Sequence, residues 1–151
     1  MQALGHYLSH EDILLGVPAS SQREIFEQVG AHLTRVHGLA GASIAAALQR
    51  RELAESTALG HGIAIPHARI KGDGPVRLLY VRLASAMPFK APDGEAVSEL
   101  MVLIVAEPAQ QDHLQLLAQL ASLLSDERFR TTLRACTRPH ELAELMTHGS
   151  R

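Results

Sequence analysis

Tryptophan is absent from the 151 residues, and aromatic side chains make up only 3% of the chain. Proteins that bind single-stranded nucleic acid stack bases on such rings, so no stacking platform is expected. Charge of one sign is lacking too. The formal net charge is −2 with histidine neutral, and the pI is near 6.5. Nothing therefore pulls the chain toward nucleic acid or an anionic membrane surface. A lone cysteine, Cys136, excludes an internal disulfide and suits a reducing compartment. The longest strongly apolar run, residues 100–106, is far short of the ~18 residues of a membrane helix. The N-terminus lacks the basic start and long apolar core of a secretory signal. No Gly-Lys-Ser/Thr phosphate-binding loop occurs, which removes ATP as an expected donor. The expectation is a cytoplasmic protein without membrane insertion, nucleic-acid partner, metal or cofactor.

What is abundant is histidine, with nine copies. Its unperturbed pKa lies nearest physiological pH, and its ring carries protons, metals and phosphoryl groups.

The length predicts about one domain, and neither a repeat nor a long linker divides residues 1–151. Residues 13–17 read as a short strand stopped by Pro18. Ser20 and Ser21 offer a helix cap. Ile25, Phe26, Val29, Leu33 and Val36 recur at helical spacing over residues 22–37, and Gly38 ends the pattern. Residues 43–53 read as a second helix with Ile44, Ala47, Leu48 and Leu53 inward. Residues 57–66 look like a loop feeding a strand. Residues 76–83 and 100–106 are strands, the latter apolar on both faces and hence central. Residues 112–124 form a helix with Leu114, Leu117, Leu120, Ala121 and Leu124 on one face. Residues 126–135 and 139–146 complete a helical C-terminus. The pattern predicts one sheet covered by helices.

One segment carries chemistry: Gly60-His61-Gly62-Ile63-Ala64-Ile65-Pro66-His67-Ala68-Arg69. The glycines allow positive φ or close approach. Ile63, Ala64 and Ile65 anchor the run in a core. Pro66 fixes φ, removes a donor and is expected to end sheet pairing. His67 then leaves the core at a stiff angle, and rigid support is what a nucleophile needs for in-line attack. Taken alone, a Pro-His pair is a weak signal, and a satisfied loop histidine is the commoner meaning.

The wider pattern is more specific. Glu52, Leu59-Gly60 and Ile63-Ala64-Ile65-Pro66-His67-Ala68 resemble the phosphorylation-site signature of the mannitol/fructose-type enzyme IIA domains of the bacterial phosphotransferase system, most nearly the nitrogen-regulatory branch. Residues 47–52 resemble the helix end before the site, and residues 56–60 the lead-in. Residues 112–117 resemble the later helix that carries the family's second histidine. The resemblance implies an α/β (α+β) fold, a single mixed sheet with helices on both faces. It implies phosphoryl transfer from an HPr-like histidine-containing carrier (NPr) to His67, with Arg51 and His113 near the acceptor, and regulation of partner proteins by phosphorylation state. A sugar-specific enzyme IIA that passes phosphate to an enzyme IIB is the alternative. His61 stands where many relatives have Asn, and Ala68 where glycine is frequent.

The residue types suit this chemistry. A neutral imidazole has a free lone pair near pH 7. The phosphate that follows adds about two negative charges, which Arg51 and an imidazolium at His113 stabilise. Read without the resemblance, Arg51 is a solvated residue near a helix C-terminus, and His113 a surface or capping residue. His6 and His10 have the spacing of ligands on one helical face but lack a completing Glu or Cys. His32, His37, His140 and His148 belong to no constellation and are expected to be exposed. Cys136 lies among Arg128, Arg130, Arg134 and Arg138, which would lower its pKa, although a half-buried helix residue is the plainer reading. An apolar carrier-docking patch is expected from Leu59, Ile63, Met87 and Phe89.

Overall fold

The computed structural model describes residues 4–71, 74–106 and 111–149. Two short 3-10 turns, Leu4–Tyr7 and His10–Asp12, lead into strand β1 (Ile13–Val17). Helices α1 (Gln22–His37) and α2 (Gly41–Ala54) follow. Three short strands come next: β2 (Ala58–Gly60), β3 (Ile63–Ala64) and β4 (His67–Ile70). The long strands β5 (Arg77–Met87) and β6 (Val97–Ala106) precede α3 (Gln111–Leu124), α4 (Glu127–Ala135) and α5 (Pro139–Gly149). Among the described residues no helix is long and apolar enough to cross a membrane.

Helix α1 begins and ends where its caps dictate. Ser21 Oγ accepts from the Glu24 N–H at 3.1 Å, while the Glu24 carboxylate turns back to accept from Ser20 Oγ at 2.6 Å. Gly38, at φ 68, closes the other end through its N–H to the Thr34 carbonyl.

The strands form one mixed sheet in the order β1-β5-β6-β3-β2, with β4 also paired to β6. Alternation along β6 builds two cores. Leu100, Val102 and Ile104 pack with Ile25, Phe26, Leu33, Ile44 and Leu48 of α1 and α2. Met101, Leu103 and Val105 pack with Leu116, Leu120, Phe129, Leu133 and Leu142 of α3, α4 and α5. A strand covered on both faces has no place for polar alternation, which is why residues 100–106 read as continuously apolar. The expected mixed sheet with helices on both faces is therefore what the chain forms.

Several details depart from the sequence reading. Strands β3 and β4 share one lane along β6, at constant register: Ile63 opposite Glu99, Ala64 opposite Leu100, His67 opposite Leu103. Pro66 does not end the pairing, because proline loses a donor but keeps its carbonyl, which accepts from the Leu103 N–H at 2.9 Å. Residues 57–66 are not a plain loop either. Strands β2 and β3 form an antiparallel hairpin turning at His61 (φ 58) and Gly62 (φ 79). Gly60, just before them, is also at positive φ (95); a non-glycine residue is uncommon there, and His, like Asn, is among those that tolerate it.

Leu53 and Leu114, expected inward, are 74% and 63% exposed. The buried stripe of α2 runs through Ile44, Leu48 and Glu52, and that of α3 through Leu116, Leu120 and Leu124. Leu53 follows Glu52 directly, roughly 100° around the helix. His6 and His10 fall in separate 3-10 turns rather than on one helical face, and His10 stacks on His140 at 4.3 Å between centroids.

The largest correction concerns His32 and His37. Neither is exposed, because the Asp12 carboxylate, 3% exposed, draws both inward. Each donates from Nε2 to Asp12 Oδ1 at 2.9 Å. Each Nδ1 accepts from a guanidinium, His32 from Arg35 at 3.4 Å and His37 from Arg77 at 3.1 Å. The chain Arg35–His32–Asp12–His37–Arg77 ties α1 to the starts of β1 and β5. Cys136 caps the C-terminal end of α4, and its Sγ donates to the Thr132 carbonyl. Burial, then Glu141, push its thiol pKa up, against the lowering expected from the nearby arginines.

Candidate functional site

His67 opens β4, half-buried, on the α3 side of the sheet. The alternation of the lane places it on the same side as Ile63 and Ile65, whereas Ala64 and Ala68 face the core under α1 and α2. Both backbone groups of Ile65 are used here. Its N–H donates to the Thr57 carbonyl at 3.1 Å, and its C=O accepts from Nδ1 of His67 at 3.0 Å. A carbonyl can only accept, so Nδ1 carries the proton and Nε2 the lone pair. The ring is thus fixed in the tautomer that presents Nε2.

Arg51 reaches this nitrogen from the last turn of α2. Its Nε–H donates to Nε2 at 3.2 Å, and its Nη1 donates to the Glu55 carbonyl at 2.7 Å. Burial is the main cause that holds the His67 pKa below its ordinary value. The Ile65 carbonyl opposes it by raising, and the Arg51 charge adds to the lowering. The ring therefore keeps a neutral, nucleophilic nitrogen beside a fixed cation.

A shallow depression of about 320 Å³ surrounds the ring. Its lining includes Arg51, Thr57, Leu59, Ile65 and His67 on one side and Leu117, Ala118 and Ala121 of α3 on the other. His113 lies four residues before Leu117, on the same face of α3 one turn away, and is half-buried. The structure thus joins His67 and Arg51 directly and puts His113 on the helix that walls the depression. A larger groove between α1 and α2, about 570 Å³, is lined by Arg23, Ala42, Gln49, Arg50 and their neighbours. It contains no histidine, so the chemistry favours the smaller site.

The expected docking patch does not exist as such. Ile63, Met87 and Phe89 are buried, the first in the α3-side core and the others in the α1/α2 core. Leu59 alone of the four lines the depression.

Two supports were missed in the sequence. Asp93 accepts from the His61 N–H at 2.8 Å and from the Glu95 N–H at 3.0 Å, bonds that lower its pKa. Arg134 donates to the His61 carbonyl and to buried Glu99, which also accepts from the Tyr80 hydroxyl. Burial and Glu99 hold that hydroxyl far above its usual pKa. The hairpin that leads to His67 is clamped from both sides. Only the Asp93-Gly94 turn signal hinted at the first clamp; the second joins residues 73 positions apart.

A family model for the phosphoenolpyruvate-dependent sugar phosphotransferase system, EIIA 2, matches residues 6–149. The chain is 34% identical over 135 residues to the Nitrogen regulatory protein of Pseudomonas aeruginosa, covering 88% of this chain and 87% of that one. It is 34% identical over 142 residues to the Multiphosphoryl transfer protein of Salmonella typhimurium, covering 92% of this chain but 36% of that one. The crystal structure of Nitrogen Regulatory Protein IIA-Ntr from Neisseria meningitidis matches with a TM-score of 0.87 at 34% identity, covering 95% of this chain and 98% of that one. The chain belongs to the EIIA type 2 family of the phosphoenolpyruvate-dependent sugar phosphotransferase system.

Proposed function

We propose that this chain is a phosphoryl carrier of a nitrogen-type phosphotransferase system, with Nε2 of His67 as acceptor. The observation that carries the reading is the ring's tautomer: Nδ1 is bound to the Ile65 carbonyl, and Nε2 faces Arg51 in an open depression. Similarity to proteins called nitrogen regulatory supports the regulatory branch. The donor in this reading is an HPr-like phosphocarrier (NPr), acting in the cytoplasm. Transfer needs little covalent machinery, because phosphoryl transfer rests on positioning and electrostatics.

Arg51 is assigned to the phosphoryl oxygens. At rest it satisfies the Nε2 lone pair; as the N–P bond forms, the guanidinium is placed to donate to oxygen instead. His113 is assigned to the same oxygens from α3. Phosphorylation adds about −1.5 to −2 charge to a partly apolar surface. A partner that buries this surface without a matching cation prefers the unmodified form. Regulation of partners then needs no second catalytic centre in this chain.

The test is intact mass after incubation with a phosphorylated histidine carrier. A single acid-labile phosphoryl group, lost in His67→Ala, is expected. Full labelling of His67→Ala overturns the assignment. The 34% identity to a multiphosphoryl transfer protein keeps a sugar-specific enzyme IIA as the second reading. Rapid passage of the phosphate to an enzyme IIB, with the same partners retained by phosphorylated and unmodified protein, selects that reading.

A further inference from the structure

We propose that Glu52 is a positioning residue for His67: its buried carboxylate holds Thr57 and, through it, the Ile65 carbonyl that keeps the imidazole proton on Nδ1. This rests on the phosphoryl-acceptor reading above and adds a residue to it.

Glu52 is 6% exposed and sits in the last turn of α2, next to Arg51. Both of its oxygens are spent on one residue. Oε2 accepts from the Thr57 N–H and Oε1 from Thr57 Oγ1, each at 2.7 Å. Thr57 in turn accepts from the Ile65 N–H, and the Ile65 C=O accepts from His67 Nδ1. Two consecutive residues of α2 thus address the two nitrogens of one ring. Arg51 acts directly on Nε2, and Glu52 acts through two backbone steps on Nδ1.

A clamp on Thr57 alone does not require a charge. Burying a carboxylate is costly unless a cation compensates it, and among the described residues no Lys, Arg or His nitrogen lies within 4.0 Å of this one. The charge has a use in the reaction. When the Nε2 lone pair attacks, the N–P bond to His67 forms and the P–N bond of the donor phosphohistidine breaks, its electron pair returning to the donor nitrogen. The Nδ1 proton stays, so the acceptor ring becomes positive as it would on protonation. A nearby fixed negative charge favours that developing charge without moving. Glu52 acts on the resting ring in the same direction, raising its proton affinity against the larger effect of burial.

The experiment uses Glu52→Gln in the full chain, with three readouts: long-range proton–nitrogen spectra of the His67 ring, its titration midpoint, and the single-turnover rate of phosphoryl acceptance from a phosphorylated histidine carrier. The expected result is a downward shift of the midpoint and acceptance slowed by about tenfold. A variant that merely loosens the site exposes the ring and moves the midpoint upward, toward an ordinary imidazole. That upward shift, or acceptance at the wild-type rate, overturns the proposal. Thr57→Val, which keeps the charge but removes one clamp bond, serves if Glu52→Gln does not fold. It is expected to increase the Nε2–H tautomer and slow acceptance, and an unchanged tautomer and rate overturns the proposal as well. If wild-type protein accepts no phosphoryl group from the carrier, the acceptor reading itself fails, and the spectra still decide whether Glu52 sets the tautomer.

Discussion

Arg51 Nε–H points at the lone pair of His67 Nε2 from 3.2 Å, the direction from which phosphorus would arrive in the proposed transfer. The resting contact and the reactive one exclude each other. In the proposed transfer the guanidinium would give up the ring nitrogen as the phosphoryl group takes its place, and its planar fork would then have oxygens to bind. Arg51→Ala is expected to slow acceptance by about tenfold or more, since charge-assisted bonds to phosphate are worth ~1.5–3 kcal/mol. Thermal melting should move little. Rapid-quench measurement of phosphoryl acceptance checks the first, and calorimetry the second.

The His67 ring is expected to titrate below the ordinary imidazole value, with burial as the main cause and Arg51 contributing. Acceptance should therefore persist to pH values where a free imidazole is already protonated. Folding responds with a definite sign. The unfolded chain takes this proton near pH 6.5 and the folded chain only lower, so stability falls as pH drops between the two midpoints. A side-chain nitrogen titration gives the folded midpoint; Arg51→Gln should raise it.

His113→Ala is expected to slow acceptance while leaving the His67 tautomer unchanged, because His113 acts from α3 and Nδ1 is held by Ile65. Parallel rate and nitrogen-shift measurements separate the two effects. A shifted tautomer with an unchanged rate contradicts the assignment.

Carrier docking is expected on the exposed leucines of the two helices beside the site, Leu53 of α2 and Leu114 of α3. Leu53→Glu and Leu114→Glu should each weaken carrier binding by about tenfold, a loss of ~1.4 kcal/mol, without unfolding. Binding isotherms with unphosphorylated carrier provide the check, and unchanged affinity in both variants rules this surface out.

Asp12→Ala is expected to cost ~3 kcal/mol by stranding the ring donors of His32 and His37 in the interior. For a chain of this size that lowers Tm by roughly 6–12 °C. Acceptance at His67, measured well below Tm, should be unchanged.

What the sequence made legible was local. The caps of α1 and the apolar double-faced strand β6 are written in adjacent residues, and both formed as read; the Pro-His segment did so only in part, because Pro66 keeps its carbonyl in the sheet. Periodicity mis-set the faces at Leu53 and Leu114, where one residue decides between two sides of a helix. His32 and His37 could not be placed, because their partner Asp12 lies 20 and 25 positions away and only the packing of α1 on β1 brings them together. The docking patch failed for a similar reason. Loop-like composition hid the fact that Ile63 is a strand residue whose side chain the pleat sends inward.

The unbroken register between residues 63–70 and β6 has a genetic consequence. Side chains alternate across the lane, so losing one codon between Ile63 and His67 rotates the imidazole to the opposite side. It would then enter the space under α1 and α2 that Ala64 and Ala68 fill without bulk. Such a deletion would keep His67, Arg51 and Glu52 in the gene product and still separate the ring from the depression. The spacing within this lane is inherited information of the same rank as the histidine, and an insertion of equal length elsewhere in the chain cannot restore it.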